Sequence, residues 1–386
     1  MGPTPSPPRV TWIDNLRTLM IVLVVNMHAC VTYSHVGSWY RMENPEPALA
    51  TKMAFIFWQG HLQAFFMGFL FFFAGVFAQG SLERRGPGAF LCERARRLGL
   101  PSLLFMVLIH PFMVYGLLGH PHVAHRPSFP VLYGHYLASG NVLSGSGPMW
   151  FALALLFFCA VYAAVSQWRP TRVLSERLPT GAPGAAPLLG FGAVLIFSTF
   201  LIRLVQPIGT DVSNFQLCFF PQYIAAFTVG VIAGRHGWLE ALATSRPARI
   251  AGWLGMIGGP LLLAAIALLG GPPPENGPNP YSGGFNPRGL ALCAWEQSAG
   301  LGIALGLMAW FHRRCNATAR VATWLSDRAF AVYLLHAPVL VALTPVLRPA
   351  VANPFFGAAL LTLTGLAASF VVADLARRVP GLRKVL

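Results

Sequence analysis

The sequence predicts an all-α, polytopic membrane protein of about ten transmembrane helices, with N-terminus and C-terminus cytoplasmic. Three observations carry this. Hydrophobic residues make up 55% of the 386 and charged ones only 10%, against about a quarter in ordinary soluble domains. Ten apolar runs reach the roughly 20 residues that a helix needs to cross the hydrocarbon core. Lys and Arg also concentrate in alternate connectors, the pattern of the positive-inside rule. So little charge excludes a disordered chain and an ordinary soluble enzyme, since neither can be solvated by this surface. Six scattered cysteines without a CxxC pair exclude a disulfide framework and a structural zinc site.

The expected spans are 12–33, 53–79, 98–119, 149–168, 187–205, 217–234, 249–270, 289–311, 325–347 and 355–376. The first carries Asp14 and Arg17 in its opening turns and no small-residue cleavage site after it, so it reads as a span and not a cleaved leader. Pro and Gly punctuate the connectors, as in Thr180-Gly-Ala-Pro-Gly184 and Gly271-Pro-Pro-Pro. No internal repeat or soluble unit interrupts them, so 1–386 reads as a single membrane-embedded domain. With these spans, 21 of the 27 Lys and Arg fall on the side that holds both termini. The densest group is Arg84, Arg85, Arg94, Arg96 and Arg97. The net charge of +15 is thereby explained mostly by topology, and no nucleic-acid partner is expected.

Ionisable groups at membrane depth are expensive, so each is a functional candidate. Arg17 and His28 lie eleven residues apart in the first span. That is about 16 Å of rise, and it returns the helix to the same face. Asp14, three residues before Arg17, can pair with it. An imidazole in apolar surroundings is disfavoured as a cation, so His28 is expected neutral and able to accept a proton. The competing reading is a packing histidine with Arg17 snorkelling to the interface. His61 and His336 read as packing histidines when judged alone. Glu296 can bind a substrate hydroxyl or a proton, or simply pair with Arg203. His120, His122, His125 and His135 gather between spans three and four, but no carboxylate or cysteine joins them, so no metal is expected. The Arg94–Arg97 stretch admits two functions: a topology anchor against anionic lipid, or a bidentate phosphate clamp.

Taken in order, several motifs resemble those of the family-3 membrane acyltransferases. They are Ile13-Asp14-Asn-Leu-Arg17 followed after ten residues by His28, then Phe65-Phe-Met-Gly-Phe-Leu-Phe-Phe-Phe-Ala-Gly75, Arg94-Ala-Arg-Arg97-Leu-Gly-Leu-Pro101, Gly147-Pro-Met-Trp150-Phe151 and Ala331-Val-Tyr-Leu-Leu-His336-Ala-Pro338. The resemblance runs from about residue 9 to 378 and looks closest to the branch that includes periplasmic glucan succinyltransferases. Relatives that O-acetylate sugars often place Glu several residues after the span-four Trp. Here Trp150 is followed by Phe-Ala-Leu-Ala-Leu-Leu-Phe, which argues against a lipopolysaccharide-type role and leaves the acceptor open.

The resemblance implies an O-acyltransferase of a bacterial cytoplasmic (inner) membrane, with no bound cofactor. It would move an acyl group from cytoplasmic acyl-CoA, the co-substrate, to a hydroxyl of an extracytoplasmic glycan or related acceptor. His28 is the expected general base, Arg17 the donor-orienting or oxyanion-stabilising group, and Asp14 its rotamer partner. Arg94 and Arg97 are expected to dock CoA phosphates, with Trp150, Glu296 and His336 lining the acceptor side. Direct transfer and a relay through His28 or Cys30 both remain open. The rival reading is a secondary transporter or exporter, which ten Gly/Pro-interrupted spans with buried charges also suit.

Overall fold

The computed structural model describes residues 10–118, 127–168, 181, 183–274 and 276–382. Ten helices in it are long and apolar enough to cross a membrane: Thr11–Ser34, Leu49–Arg85, Pro87–Leu117, Asn141–Val165, Ala185–Arg203, Leu217–His236, Arg246–Gly270, Pro287–Arg314, Arg320–Ala350 and Pro354–Arg378. Each expected span has its counterpart, and no strand element occurs among the described residues. A helix satisfies every backbone group internally, the requirement that hydrocarbon imposes on a crossing segment.

Two boundaries differ instructively from the hydropathy pattern. The second span covers 37 residues, about 55 Å of helix, well beyond the apolar run at 53–79. Its last turns carry Glu83, Arg84 and Arg85 outside the hydrocarbon-length stretch. The third span starts at Pro87, eleven residues before its apolar run, because Gly86 at φ 72° breaks the chain and Pro sits well in a first turn. Arg94 and Arg97 are therefore held on a helix, not in a loop.

Prolines explain three of the four π-helical stretches among the described residues. A wide π-helical stretch precedes each of three prolines: Ala95–Gly99 before Pro101, Phe105–Ile109 before Pro111, and Leu254–Gly258 before Pro260. The proline ring clashes with the carbonyl four residues back, and a widened turn relieves that clash without ending the helix.

The first and second spans form the centre, with 67% and 78% of their apolar windows buried, whereas the fifth and seventh are 11% and 17% buried and form the rim. The second span, rich in buried Phe, packs most extensively on the sixth. A Cβ on Gly75 would lie 2.2 Å from the Phe227 carbonyl, and one on Gly230 would lie 2.0 Å from that of Phe72. Small residues let these two backbones touch, which substitutes for the hydrophobic drive that lipid does not supply.

Polar contacts fix how the helix ends group. Asn15 donates to the Cys315 carbonyl at 2.9 Å, Arg235 pairs with Glu83 at 3.2 Å, and Arg328 pairs with Asp374. The start of span one, the ends of spans two, six, eight and ten, and the start of span nine thus share one arginine-rich end. Toward the other end, Arg203 is 1% exposed and grips both oxygens of Glu296 at 2.7 and 3.0 Å. Gln297 Nε2 also donates to Glu296 Oε1, at 3.2 Å. The pair joins the end of span five to the early turns of span eight. Breaking one member leaves a buried charge uncompensated. Arg203→Met should therefore destabilise the detergent-solubilised protein by about 3–5 kcal/mol in unfolding measurements, with Arg203→Met/Glu296→Met recovering most of that loss.

Candidate active site

His28 lies in the later turns of the first span and faces His336 of the ninth. Their rings are nearly parallel, 20° apart in plane, with centroids at 5.2 Å. A third ring, Trp39, stacks on His28 at 3.8 Å and lies near-parallel to His336 at 6.1 Å. His336 is fully buried, and its Nδ1 sits 2.7 Å from the Tyr333 carbonyl. A carbonyl only accepts, so Nδ1 carries the hydrogen and Nε2 keeps a lone pair. That Nε2 has no hydrogen-bond partner, and neither has His28 Nδ1, although both atoms are buried. Leaving such atoms unpaired costs about 1–3 kcal/mol each.

The connector after span one places the tryptophan. His35 turns the chain at φ 57°, and its Nε2 lies 2.7 Å from the Glu43 carbonyl. The Glu43 carboxylate meets Arg41 at 2.9 Å and Arg348 at 3.3 Å, anchoring the connector to the end of span nine. Trp39 and Tyr40 are thus presented inward from a tied loop. The Tyr40 hydroxyl is hydrogen-bonded to His110 Nδ1 at 3.1 Å. Burial, with Tyr136 nearby, pushes the Tyr40 phenol up, so it remains an uncharged hydroxyl.

The Gly145–Trp150 segment closes the same region. Ser146 Oγ accepts from Asn214 Nδ2 at 2.9 Å, as does the Gly147 carbonyl at 2.8 Å. The Tyr333 hydroxyl donates to the Pro148 carbonyl. Gly147 adopts φ 49° and ψ −132°, and a Cβ there would lie 2.2 Å from Tyr40 Oη and 2.9 Å from the Phe105 ring. Trp150 follows immediately and stacks on Tyr223 at 5.6 Å. It sits one layer from the histidines, through Phe151, whose ring meets Tyr333 edge-on at 5.9 Å.

The arginine-rich end holds the other candidates. Arg17 lies 3.6 Å from Asp14 and 5.4 Å from the centre of the Phe77 ring, with its side chain about half exposed. Arg97 is likewise half exposed, 3.6 Å from Glu93, a carboxylate that also meets Arg85 at 3.4 Å. Arg94 points inward, with its guanidinium 5.2 Å from the Phe90 ring and its Nε buried without a partner. Of the two, Arg94 is the one whose partnerless donor is buried.

The structure therefore brings His28 and His336 together, and Asp14 and Arg17 together, while Trp150 supports the site from behind. Glu296 is committed to Arg203 and Gln297, the structural alternative foreseen for it. Cys30 is buried, with its Sγ 3.9 Å from Asn26 Oδ1. His61 Nδ1 lies 2.6 Å from the Phe57 carbonyl one turn back. Three of the clustered loop histidines, His120, His122 and His125, lie outside the described residues; His135 is exposed. Among the described residues, no three metal-ligating side chains converge. Sequence reasoning missed Trp39, Tyr40 and His110. The aromatic pair directly after the first span was the signal available for the first two.

The described residues form an all-α polytopic membrane protein with a buried pair of histidines toward one end and a cluster of arginines at the other. Residues 10–376 match the family described as Acyltransferase domain, and the chain belongs to that family of membrane acyltransferases. No curated protein and no solved structure matches it.

Gly147 tests the built loop. A side chain there combines positive φ with a clash against the Tyr40 hydroxyl and the Phe105 ring. Gly147→Ala should lower the melting temperature and reduce acyl transfer, whereas Gly134→Ala, which meets nothing within 4 Å, should change neither.

Proposed function

We propose that the protein is a multi-pass O-acyltransferase of a bacterial inner membrane. It takes an acyl group from acyl-CoA on the cytoplasmic, arginine-rich side and delivers it to a hydroxyl of an extracytoplasmic glycan or related acceptor. The observation that carries this reading is the His28–His336 pair, two uncommitted imidazole nitrogens held beneath Trp39 in a member of an acyltransferase family.

The chemistry balances with His28 as general base. The acceptor O–H gives its proton to His28, the oxygen attacks the thioester carbonyl, and a C–O bond forms as the C–S bond breaks. The proton then passes to the departing CoA thiolate. Such a base contributes typically 10²–10⁴-fold. Arg94, whose buried Nε is unspent, suits the CoA phosphates together with Arg97. Arg17, steadied by Asp14 but about 16 Å along the same helix from His28, is suited to orient the donor's arm and lies too far away to stabilise an oxyanion at His28. The transporter reading has less support. Its coupling carboxylates reduce to Glu296 and Asp14, and each already meets an arginine.

His28→Ala should abolish acyl transfer, read as CoA release and as mass gain of the acceptor, while expression and membrane insertion persist. Wild-type-like transfer by that variant ends the general-base assignment. Arg94→Ala and Arg97→Ala should each weaken acyl-CoA binding and flatten its salt dependence, checked by KM for acyl-CoA across ionic strength. An unchanged KM would return the arginines to a purely topological role.

A further inference from the structure

A groove of about 290 Å³ lies between spans two, five, six and eight, and none of His28, His336, Trp39, Arg94 or Arg97 lines it. Its wall on span six runs from Gln222 to Ile232, and on span eight from Gln297 to Met308. Each stretch is about 15 Å of helix, equal to half of the roughly 30 Å hydrocarbon core. The groove is thus as long as one leaflet is deep. Trp238 and Leu242 line its mouth, at the arginine-rich end of the bundle.

Span five closes the groove but is fastened at one end only. Its buried residues, Leu195, Thr199 and Arg203, all lie in its second half, where Arg203 grips Glu296. Pro187, Leu188 and Phe191 of its first half line the groove instead. Apart from Trp238, the polar side chains among the described lining residues are Gln222 and Gln297, both at the deep end. Gln222 Nε2 donates to the Ala64 carbonyl at 2.6 Å and to Gln297 Oε1 at 3.3 Å, and Gln297 Nε2 donates to Glu296. The remaining Gln222 oxygen packs on Gly68, where a Cβ would lie 3.0 Å from it. Water has little to bond there: about ten molecules would fit at roughly 30 Å³ each, and each needs two to four polar partners. Left empty, the lining forfeits its contacts. The medium on the other side of span five, met by Leu189, Val194 and Phe197, is hydrocarbon.

We infer that this groove binds one acyl chain of a glycerophospholipid from the leaflet at the arginine-rich end. The chain fills the space behind the first half of span five and supplies the packing which that half lacks. The head group then sits at the mouth. The lining series of span six, 226, 229 and 232, continues one turn on to His236, and that of span eight, 301, 304 and 308, to His312. Arg235, Arg313 and Arg314 stand beside them, with Glu83 and Glu240 as the acids that Arg235 and His312 meet. A phosphodiester suits that rim. The site is independent of the acyltransferase reading, and lipid capture and acyl transfer are measured separately.

The test uses the full-length protein reconstituted in phosphatidylglycerol vesicles, then extracted and washed in excess dodecyl maltoside so that only retained lipid stays. The photocrosslinker p-benzoylphenylalanine replaces either Phe191, in the groove, or Phe197, which is 63% exposed on the same helix. After irradiation, intact-protein mass spectrometry reads the adducts. The phosphatidylglycerol adduct at position 191 should exceed that at 197 by about tenfold, a ratio that burying about two methylenes already supplies. Ala226→Phe and Ala304→Phe fill the groove from different helices and should each cut the adduct at 191 severalfold, while Val194→Phe on the lipid-facing side leaves it unchanged. Added phosphatidylglycerol should raise the melting temperature of the delipidated wild type and of Val194→Phe, but not of Ala226→Phe. Equal adducts at 191 and 197, a detergent adduct in place of phospholipid at 191, or an adduct undiminished in both groove variants overturns the inference. So does displacement of the lipid by palmitoyl-CoA but not acetyl-CoA, which assigns the groove to a donor chain. If the groove variants do not fold, the comparison of positions 191 and 197 decides alone.

Discussion

Tyr333 is the contact on which the site depends. Its hydroxyl donates to the Pro148 carbonyl and its own carbonyl takes the Nδ1–H of His336. In water both bonds would be exchanged for solvent at little net loss; in a buried bundle the alternative is an orphaned polar group. One residue therefore sets the orientation of the ninth span against the entry to the fourth and, three residues on, the tautomer of the histidine that meets His28. The fixed geometry of the Gly145–Trp150 segment gives Tyr333 a rigid point to hold.

The rest of the bundle follows the same constraint, that every polar group must find its partner inside the protein. The third and seventh spans accommodate three prolines by widening the preceding turn, which keeps their backbone paired. Arg203 and Glu296, each nearly without exposure, satisfy one another and hold the lightly buried fifth span to the eighth. Where helices must approach most closely, glycine removes the side chain, as at Gly75 and Gly230. These devices set the stiffness against which the two histidines are aligned.

The spans were legible because a bilayer imposes a length and a polarity that a single sequence records directly. The ends were less so. Hydropathy stops where the apolar run stops, while a helix continues as long as its backbone hydrogen bonds do. Arg94 and Arg97 were therefore found on a helix despite reading as connector. His28 and Arg17 could be named from spacing within one helix, and Asp14 with them. The partnership of His28 with His336 could not, since 308 residues separate them and only packing brings them together. Trp39 was hidden for a different reason: it belongs to a loop whose path is set by Glu43 bridging Arg41 and Arg348, and no periodicity encodes such a path.

Buried ring nitrogens without a partner occur at His28, His61, His236 and His336, and among these only the rings of His28 and His336 stack on one another. Gln222 retains one free oxygen, but its amide nitrogen is held by the Ala64 carbonyl at 2.6 Å, so the side chain is fixed and the residual cost is that of one lone-pair site. Thr199 and Ser369 leave hydroxyls, which are small and rotate. At His28 and His336 the free atoms are instead ring nitrogens capable of moving a proton, from two different helices, under one tryptophan. An unpaired buried nitrogen lowers the stability of the resting protein, and two on one site lower it further. On the proposed reading, an acceptor hydroxyl that gives its hydrogen to His28 offsets part of that cost on binding, so the site's instability when free becomes affinity for an alcohol.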